Sequence, residues 1–391
     1  MIKRKPFEVL YLAAFQGDEL ISRRMVGRNS SLAGTQKIRV LSNILYRLGG
    51  NVEILSVGIS ANNSGRWYGA FTEALGPGVK AHYCATWDVP VIRTALGLVG
   101  IMKMVIRRRR TGESSVVVLY NCDLAEGVGA VMASLLQARP LFLEYEDSVE
   151  LYGGVKGIVS RLVRSVLRLR VRGIIGVTPE ICEEFPNAKK AIVRGVLASD
   201  LRSVDGIRNA SKVGFTAMYA GSINRGKGVD ELCAAWRDSR LNAVRLIVIG
   251  DGQALPRLRG EYADAQNIEF LGRVSRADLT ALLPTADILI NPHASGSISN
   301  GLQSPFKLIE YISQGRPIVT THPGSLEAEL RLGCYVIEDN LPESIVHGVL
   351  SVISHYPDWL RAATAGATEA WQLYGEESVT DRLSELLSEA I

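Results

Sequence analysis

The chain has 391 residues, of which 47% are hydrophobic and 38 are glycine, and its formal net charge is +4. This composition excludes collagen-like, low-complexity and intrinsically disordered chains, and the length suits two α/β domains. The five cysteines form no C-x-x-C pair, so neither a disulfide framework nor a zinc site is indicated, and no apolar run approaches the ~20 residues that cross a bilayer. We therefore expect a cytoplasmic protein.

Charge is unevenly distributed along the chain. Residues 1–200 contain 27 Lys and Arg against 17 Asp and Glu, a net of +10, whereas residues 201–391 contain 17 against 23, a net of −6. The difference predicts a domain boundary near residue 200. It also predicts that the first half meets an anionic partner such as a membrane surface, a phosphorylated lipid or nucleic acid.

Short β-branched runs alternate with segments of helical length throughout the chain. The predicted strands of the first half are residues 8–14, 52–57, 79–83, 116–120, 141–145 and 173–177. Those of the second half are residues 215–220, 245–249, 268–271, 288–290 and 317–320. Without hairpin turns between them, this alternation predicts an α/β fold of two Rossmann-like, doubly wound parallel-sheet domains that face a cleft.

The domains are expected at residues 1–200 and 214–370. The polar segment 201–213 lacks clear periodicity and is interpreted as a linker. A C-terminal helix within 371–391 is expected to pack back on the first domain.

Residues that follow strands are the first candidates for a site, because ligands bind α/β sheets at the carboxyl ends of parallel strands. After the first strand, Gly34 and Thr35 precede a helix with apolar positions at Ile38 and Leu41. Gly34 would let a phosphate approach the helix N-terminus. Plain capping by Thr35 is the more common explanation of such a pair.

Three carboxylates end the strand at 141–145: Glu144, Glu146 and Asp147. We expect them to face the cleft, where they can position or deprotonate a substrate hydroxyl. Capping of the following segment is an equal alternative. The single histidine of this half, His82, lies within a strand and is interpreted as a core or edge residue.

Two basic helices are predicted at 91–110 and 155–172. The second has an apolar face that includes Val155 and Leu162, and a separate face of arginines that includes Arg161 and Arg172. Such helices can dock on an anionic membrane. The alternative is that each packs its apolar face into the core and exposes a solvated basic face. Nucleic acid is disfavoured because these residues form no recognition motif.

In the second half, the strand at 215–220 runs into a flexible, cationic segment. It contains Gly221, Ser222, Arg225 and Lys227 and precedes a helix. Two cations at the carboxyl end of a strand suit a diphosphate, because they neutralise charge that backbone amides offset only in part. A solvated turn is an equal alternative for this segment alone.

Further candidates follow the next strands. The turns after 245–249 and 268–271 contain Gly250, Asp251, Arg273 and Val274, and a flat base can lie against such turns. A helix that starts near Ser304 and Pro305 then places Lys307 and Glu310 three residues apart on one face. A carboxylate there can accept two hydrogen bonds from a ribose diol, while the lysine meets phosphate.

From about residue 217 to 330, the order and spacing of these motifs resemble the retaining glycosyltransferases of family four, also called glycosyl transferases group 1, which have the GT-B fold. The resemblance implies that Lys227 contacts the donor diphosphate, that Glu310 binds the ribose and that Lys307 contacts the donor. Two positions depart from the family pattern. Ser222 stands where the family has an arginine, and Leu302 stands where it has a first glutamate.

The resemblance implies transfer of a sugar from a nucleotide diphosphate donor to a glycan or lipid-linked acceptor, with retention of configuration. The first domain would bind the acceptor and the second the nucleotide sugar. Arg225 and Lys227 would stabilise the leaving group, and no metal or other cofactor is expected because no Asp-x-Asp motif ends a strand. Two alternatives are a non-catalytic GT-B subunit, which Ser222 and Leu302 would permit, and a nucleotide-sugar epimerase.

Overall fold

A computed structural model describes residues 6–24, 32–58, 63–108, 114–197, 214–293, 306–321 and 326–391. The chain divides into two units: unit 1 is Met1–Val196 with Glu376–Ile391, and unit 2 is Leu197–Gly375. The predicted linker at 201–213 lies outside the described residues. No helix of the described ranges is long and apolar enough to cross a membrane.

Unit 1 is built on a sheet of eight strands with the order β10-β9-β8-β7-β1-β2-β5-β4. The strands of unit 1 are β1 Phe7–Leu12, β2 Gly50–Ser56, β3 Trp67–Tyr68, β4 Phe71–Gly76, β5 Val79–Tyr83, β6 Thr86–Trp87, β7 Ser115–Tyr120, β8 Leu141–Tyr145, β9 Val171–Gly176 and β10 Lys189–Ile192. All neighbours in the large sheet are parallel except β4 and β5, and β3 pairs with β6 separately. The central strands are buried on both faces, as expected of a parallel sheet.

Two layers of helices cover this sheet. The helices of unit 1 are α1 Asp18–Arg24, α2 Leu32–Arg47, α3 Pro90–Arg107, α4 Leu124–Leu136, α5 Gly154–Leu167, α6 Pro179–Glu183 and α13 Glu376–Leu387. One core joins α2 and α13 to the sheet through Ile38, Leu41 and Leu383. The other core lies under α3, α4 and α5. The segment predicted at 371–391 is thus divided, because its first residues end a helix of unit 2.

Unit 2 has a six-stranded sheet in which every pair is parallel. Its strands are β11 Phe215–Ala220, β12 Val244–Ile249, β13 Ile268–Gly272, β14 Ile288–Asn291, β15 Ile318–Thr320 and β16 Cys334–Val336, and its helices are α7 Val229–Ala235, α8 Leu255–Glu261, α9 Arg276–Leu282, α10 Phe306–Ile312, α11 Pro342–Ser354 and α12 Tyr356–Tyr374. The strand order is β13-β12-β11-β14-β15-β16. The chain therefore reverses its direction across the sheet between β11 and β14, which is where such sheets open a crevice for ligands.

All eleven predicted strands are present, with ends within two residues of those expected. The expectation that hairpin turns are missing is wrong, because β4 and β5 form an antiparallel hairpin. Its turn is the sequence Gly76-Pro77-Gly78, in which both glycines have positive φ, 150° and 65°. The predicted helix 155–172 is also too long: α5 ends at Leu167, and Arg172 lies in β9.

Candidate functional site

The carboxyl ends of β11, β12 and β13 are tied together by backbone hydrogen bonds. The amide of Gly221 donates to Ile249 at 2.9 Å, and that of Gly250 donates to Gly272 at 2.8 Å. The amide of Ile223 donates to the carbonyl of Asp251 at 2.9 Å. The predicted glycine turns therefore lie side by side at one edge of the sheet, because parallel strands all end at the same edge.

Lys307 lies beneath the turn that follows β11. Its Nζ is 3.7 Å from the centre of the Tyr219 ring and 5.2 Å from that of Tyr311. The Tyr311 hydroxyl donates to the carbonyl of Ala220 at 3.1 Å and accepts from the amide of the same residue at 2.6 Å. The Tyr219 hydroxyl donates to the Ser222 carbonyl at 2.8 Å. Two buried aromatic rings thus hold both the ammonium and the turn above it.

The Lys307 ammonium lacks a carboxylate partner within hydrogen-bond distance in the described chain. Burial, followed by the charge of Lys227, lowers the pKa of Lys307 to about 7, and Glu310 opposes this shift. Lys227 also forms no ion pair with a described residue. A buried lysine whose ammonium is destabilised by the charge of a second lysine favours the binding of an anion beside it.

His293 lies next to the same two lysines. It follows β14 by two residues, and burial, then Lys227 and Lys307, lower its pKa to about 4. Its ring is therefore neutral near pH 7, and its buried Nδ1 has no hydrogen-bond partner in the described parts of the chain. This residue was not predicted from the sequence. Its position just past a strand end, at the edge where ligands bind, was the available signal.

Glu310 forms an ion pair with Arg276, at 2.8 Å between Oε1 and Nη1. The carboxylate is largely buried, with 14% of its side chain exposed, whereas 41% of the arginine side chain is exposed. Arg276 begins α9 and was not predicted. Lys307 and Glu310 both lie on α10 and interact electrostatically, but they do not form an ion pair. The other oxygen of Glu310 has no hydrogen bond or ion pair with the described residues.

The other predicted donor residues occupy the surface around this point. Arg225, Ser222 and Arg273 are exposed, and Asp251 and Val274 are half-buried. Ser222 Oγ accepts a hydrogen bond from Asn224 Nδ2 at 2.7 Å. Arg225 makes no ion pair with the described residues, so its cation is free to meet solvent or a ligand. Leu302, Ser304 and Pro305 lie outside the described residues.

Two glycines of the cationic segment make a matched pair for testing its backbone. Gly226 and Gly228 both have positive φ, 81° and 74°, but a Cβ at Gly226 meets open space and one at Gly228 overlaps the Pro292 carbonyl. We expect Gly226→Ala to cost about 1 kcal/mol of stability through backbone strain alone. Gly228→Ala should cost about 3 kcal/mol or more, since Pro292 must also move. Urea unfolding of the two variants checks this, and equal losses would contradict it.

In unit 1 the predicted carboxylates Glu144 and Glu146 belong to a hydrogen-bonded network, and only Glu144 is fully buried. Glu144 is completely buried, so the expectation that it faces a cleft is wrong. The Tyr11 hydroxyl donates to it, and Lys37 Nζ lies 3.5 Å from its Oε1. The same ammonium is 2.6 Å from Glu146, which also accepts from Tyr120. Tyrosines of β1 and β7 therefore donate hydrogen bonds to these carboxylates and a lysine of α2 neutralises them, and long-range contacts of this kind leave no local signal in the sequence.

Gly34, in the first helical turn of α2, adjoins this network. A Cβ at this position would lie 2.5 Å from the Tyr120 hydroxyl, so a glycine is needed for close packing as well as for any approach of a ligand. Asp147 is half-buried, and burial followed by Glu146 raises its pKa. The amides of Glu146 and Asp147 both donate to Asn121 Oδ1, at 2.9 and 3.2 Å.

No group of three or more His, Cys, Asp or Glu residues in the described ranges is arranged to hold a metal ion. The five cysteines are all buried and free.

The second unit resembles a known protein family. Residues 214–355 match the family model described as Glycosyl transferases group 1. This is the part of the chain that contains Lys227, His293, Lys307 and Glu310. No match to a curated protein was found by sequence.

Solved structures resemble the whole chain. Sucrose-phosphate synthase from Thermosynechococcus elongatus has a TM-score of 0.71 at 12% identity, covering 98% of both chains. A glycosyltransferase from Rickettsia africae has a TM-score of 0.66 at 11% identity, again covering 98% of both chains. Anabaena HepE (Alr3699), solved with UDP, has a TM-score of 0.64 at 13% identity and covers 98% of this chain and 100% of HepE.

The chain has the GT-B fold. The predicted class, α/β with two parallel-sheet domains, is therefore confirmed. Lys227, Lys307 and His293 lie in unit 2, near the point between β11 and β14 where the chain reverses its direction across the sheet. The network around Glu144 lies in unit 1.

Proposed function

We propose that this protein is a retaining glycosyltransferase that moves a sugar from a UDP- or GDP-linked donor to a glycan or lipid-linked acceptor. The observation that carries the proposal is the pair Lys227 and Lys307, without carboxylate partners in the described chain, at the carboxyl ends of β11 and β14. The family match over residues 214–355 supports it, as does the presence of UDP in the HepE structure. The setting we propose is the cytoplasm, in the synthesis of cell-surface polysaccharide or glycolipid.

The two lysines would act on the leaving group. In the transfer, the bond between the anomeric carbon and the β-phosphate oxygen breaks, and a bond to the acceptor oxygen forms on the same face. The acceptor proton passes to the departing phosphate oxygen, so no protein nucleophile is needed. Negative charge grows on the diphosphate as the bond breaks, and fixed cations there lower the barrier. Arg225, which is exposed to solvent, can provide a third cation.

Glu310 and His293 would orient the donor. Glu310 is held by Arg276 through one oxygen and can accept from the ribose hydroxyls through the other. His293 is neutral near pH 7, so one of its ring nitrogens can donate a hydrogen bond to a sugar or phosphate oxygen without adding charge. In this scheme the reaction requires no metal, because the cations come from the chain.

A thermal-shift panel with UDP, GDP, ADP and their sugar conjugates tests the proposal. One nucleotide is expected to raise the melting temperature, because a ligand specific to the folded state stabilises it by about 2.7 kcal/mol at 100 times its Kd. Lys227→Ala and Glu310→Ala should lose this shift. Arg245→Ala is the matched control: Arg245 lies at the opposite end of β12 and pairs with Glu269.

Two outcomes would contradict the assignment. No response to any nucleotide at saturation would remove the donor site. Binding that is lost in the variants but never accompanied by sugar transfer to any acceptor would favour a non-catalytic GT-B subunit.

A further inference from the structure

Most exposed large hydrophobic side chains of the described chain lie on one layer of unit 1. Eleven of seventeen are on α3, α4 or α5, or directly after α5. These helices lie side by side, since they connect strands that follow one another in a single direction across the sheet, and they share one core beneath them. The outer surface of this layer is therefore unusually apolar for a surface in water.

Helix α5 presents the most continuous part of this surface. Its exposed hydrophobic residues are Val155 at 77%, Ile158 at 56%, Leu162 at 64%, Val166 at 47% and Leu169, in the turn after the helix, at 83%. Their spacing of three or four residues places them on one face. We call this set the α5 stripe.

The buried face of α5 is made by other residues. Gly157, Ser160, Val163 and Leu167 pack inward, and Arg164 is buried in ion pairs with Glu150 and Glu184. The alternative that the predicted apolar face packs into the core is therefore wrong. Helix α5 therefore packs Gly157, Ser160, Val163, Arg164 and Leu167 against the protein and turns the α5 stripe outward.

Basic side chains border the α5 stripe. Residues 154–172 contain six Lys and Arg and no Asp or Glu. Lys156 and Arg161 have 61% and 39% of their side chains exposed, and their nearest carboxylates are 3.8 and 3.9 Å away. Arg168 and Arg170 are exposed and form no ion pair with a described residue. Helix α3 is similar, since residues 90–112 also lack Asp and Glu.

We propose that the α5 stripe inserts into the headgroup and acyl boundary of an anionic lipid bilayer, with the neighbouring arginines and lysines on the lipid phosphates. A helix with an exposed apolar face and a basic border binds such a boundary by burying apolar area and by attraction to anionic lipid. Basic side chains can keep their charged ends at the phosphates while their stems lie along the apolar surface. The chain would lie on the membrane without crossing it.

A second copy of the chain is a poorer occupant of this surface. A two-fold contact places the same patch on both partners, so the basic side chains that border the α5 stripe of one copy would lie near those of the other. Basic side chains that face each other across such a contact repel, whereas anionic lipid headgroups attract them. The inference concerns unit 1 and does not rest on the donor site of unit 2.

Co-sedimentation of the full chain with vesicles tests the proposal. We expect binding to phosphatidylcholine vesicles that contain phosphatidylglycerol, and at least tenfold weaker binding to phosphatidylcholine alone. Ile158→Ser combined with Leu162→Ser should weaken binding by about tenfold or more, because less apolar area is buried. Arg161→Gln combined with Arg170→Gln should weaken it by about tenfold, and added salt should have the same effect.

The matched control is Leu332→Ser combined with Leu341→Ser. These leucines are 50% and 58% exposed and belong to unit 2, and their replacement should leave vesicle binding unchanged. Nucleotide-induced thermal shifts of every variant report separately on unit 2. Vesicle binding that ignores anionic lipid, or that survives loss of Ile158 and Leu162, would overturn the proposal. So would a dimer that the serine variants dissociate in the absence of lipid.

Discussion

Lys307→Ala is expected to lower kcat/KM for sugar transfer by about 10²- to 10³-fold. A preorganised cation beside the leaving group is worth this much when the site excludes water. The substitution should not unfold the protein, because the ammonium has no carboxylate partner to leave behind in the described chain. The melting temperature of the ligand-free variant should therefore equal or exceed that of the native chain. Steady-state transfer from the donor identified by the nucleotide panel measures the effect, with Arg245→Ala as control.

The same lysine predicts how nucleotide affinity depends on pH. Burial and Lys227 lower the pKa of Lys307 to about 7, so the free protein holds an ammonium below that pH and a neutral amine above it. A diphosphate prefers the ammonium, and affinity should fall as the pH rises through about 7. His293 titrates at about 4, outside this range. Calorimetry in buffers of different ionisation enthalpy should detect proton uptake on binding above pH 7.

Lys307→Arg gives this experiment its control, since a guanidinium stays charged over the whole range. The variant should bind the nucleotide sugar, whose diphosphate is esterified at both ends and does not titrate near neutrality, with an affinity that is independent of pH there. An equally flat profile in the native chain would mean that Lys307 does not meet the anion. In that case Lys227 and Arg225 would be left to neutralise the phosphates.

The second large effect is expected in unit 1. Lys37→Met should reduce the free energy of unfolding by about 3–5 kcal/mol, because it leaves Glu146 without its cation and raises further the pKa of Glu144, which burial already raises to about 7. Only 4% of the lysine side chain is exposed, against 0% for Glu144 and 20% for Glu146. Burial opposes the charge of Lys37, but Glu146 and Glu144 raise its pKa above the ordinary value. The ammonium also donates to the Val193 carbonyl at 3.2 Å.

Urea unfolding measures the loss, and hydrogen exchange of β1 and β8 assigns it to unit 1. Lys80→Met is the matched control, because Lys80 is exposed on β5 and should change stability by less than about 0.5 kcal/mol. Adding Glu144→Gln and Glu146→Gln to Lys37→Met should recover part of the loss, since neutral amides need no cation. A Lys37→Met variant as stable as Lys80→Met would show that the network does not support the fold.

The sequence by itself determined where the strands lie and which residues meet at the ligand-binding edge of unit 2. Strands buried on both faces are continuous β-branched runs in the sequence, so they can be recognised from the local pattern. Parallel strands of one sheet all end at the same edge, so residues that follow β11 and β14 must come together. Lys227 follows β11 and the helix of Lys307 follows β14, and this rule therefore places them near each other. His293 satisfies the same rule, although it was not predicted.

Only the tertiary structure decided the partners of the charged groups and the direction of the helix faces. Glu144 and Lys37 are more than one hundred residues apart, and no local pattern shows that a lysine of α2 reaches a carboxylate of β8. The pairing of Glu310 with Arg276 is of the same kind. Helix α5 has a periodicity that fits either a buried or an exposed apolar face, since amphipathicity fixes the angle between two faces and not which one meets the protein. In α5 the inward face consists of Gly157, Ser160, Val163, Leu167 and the ion-paired Arg164, and the α5 stripe is left outside.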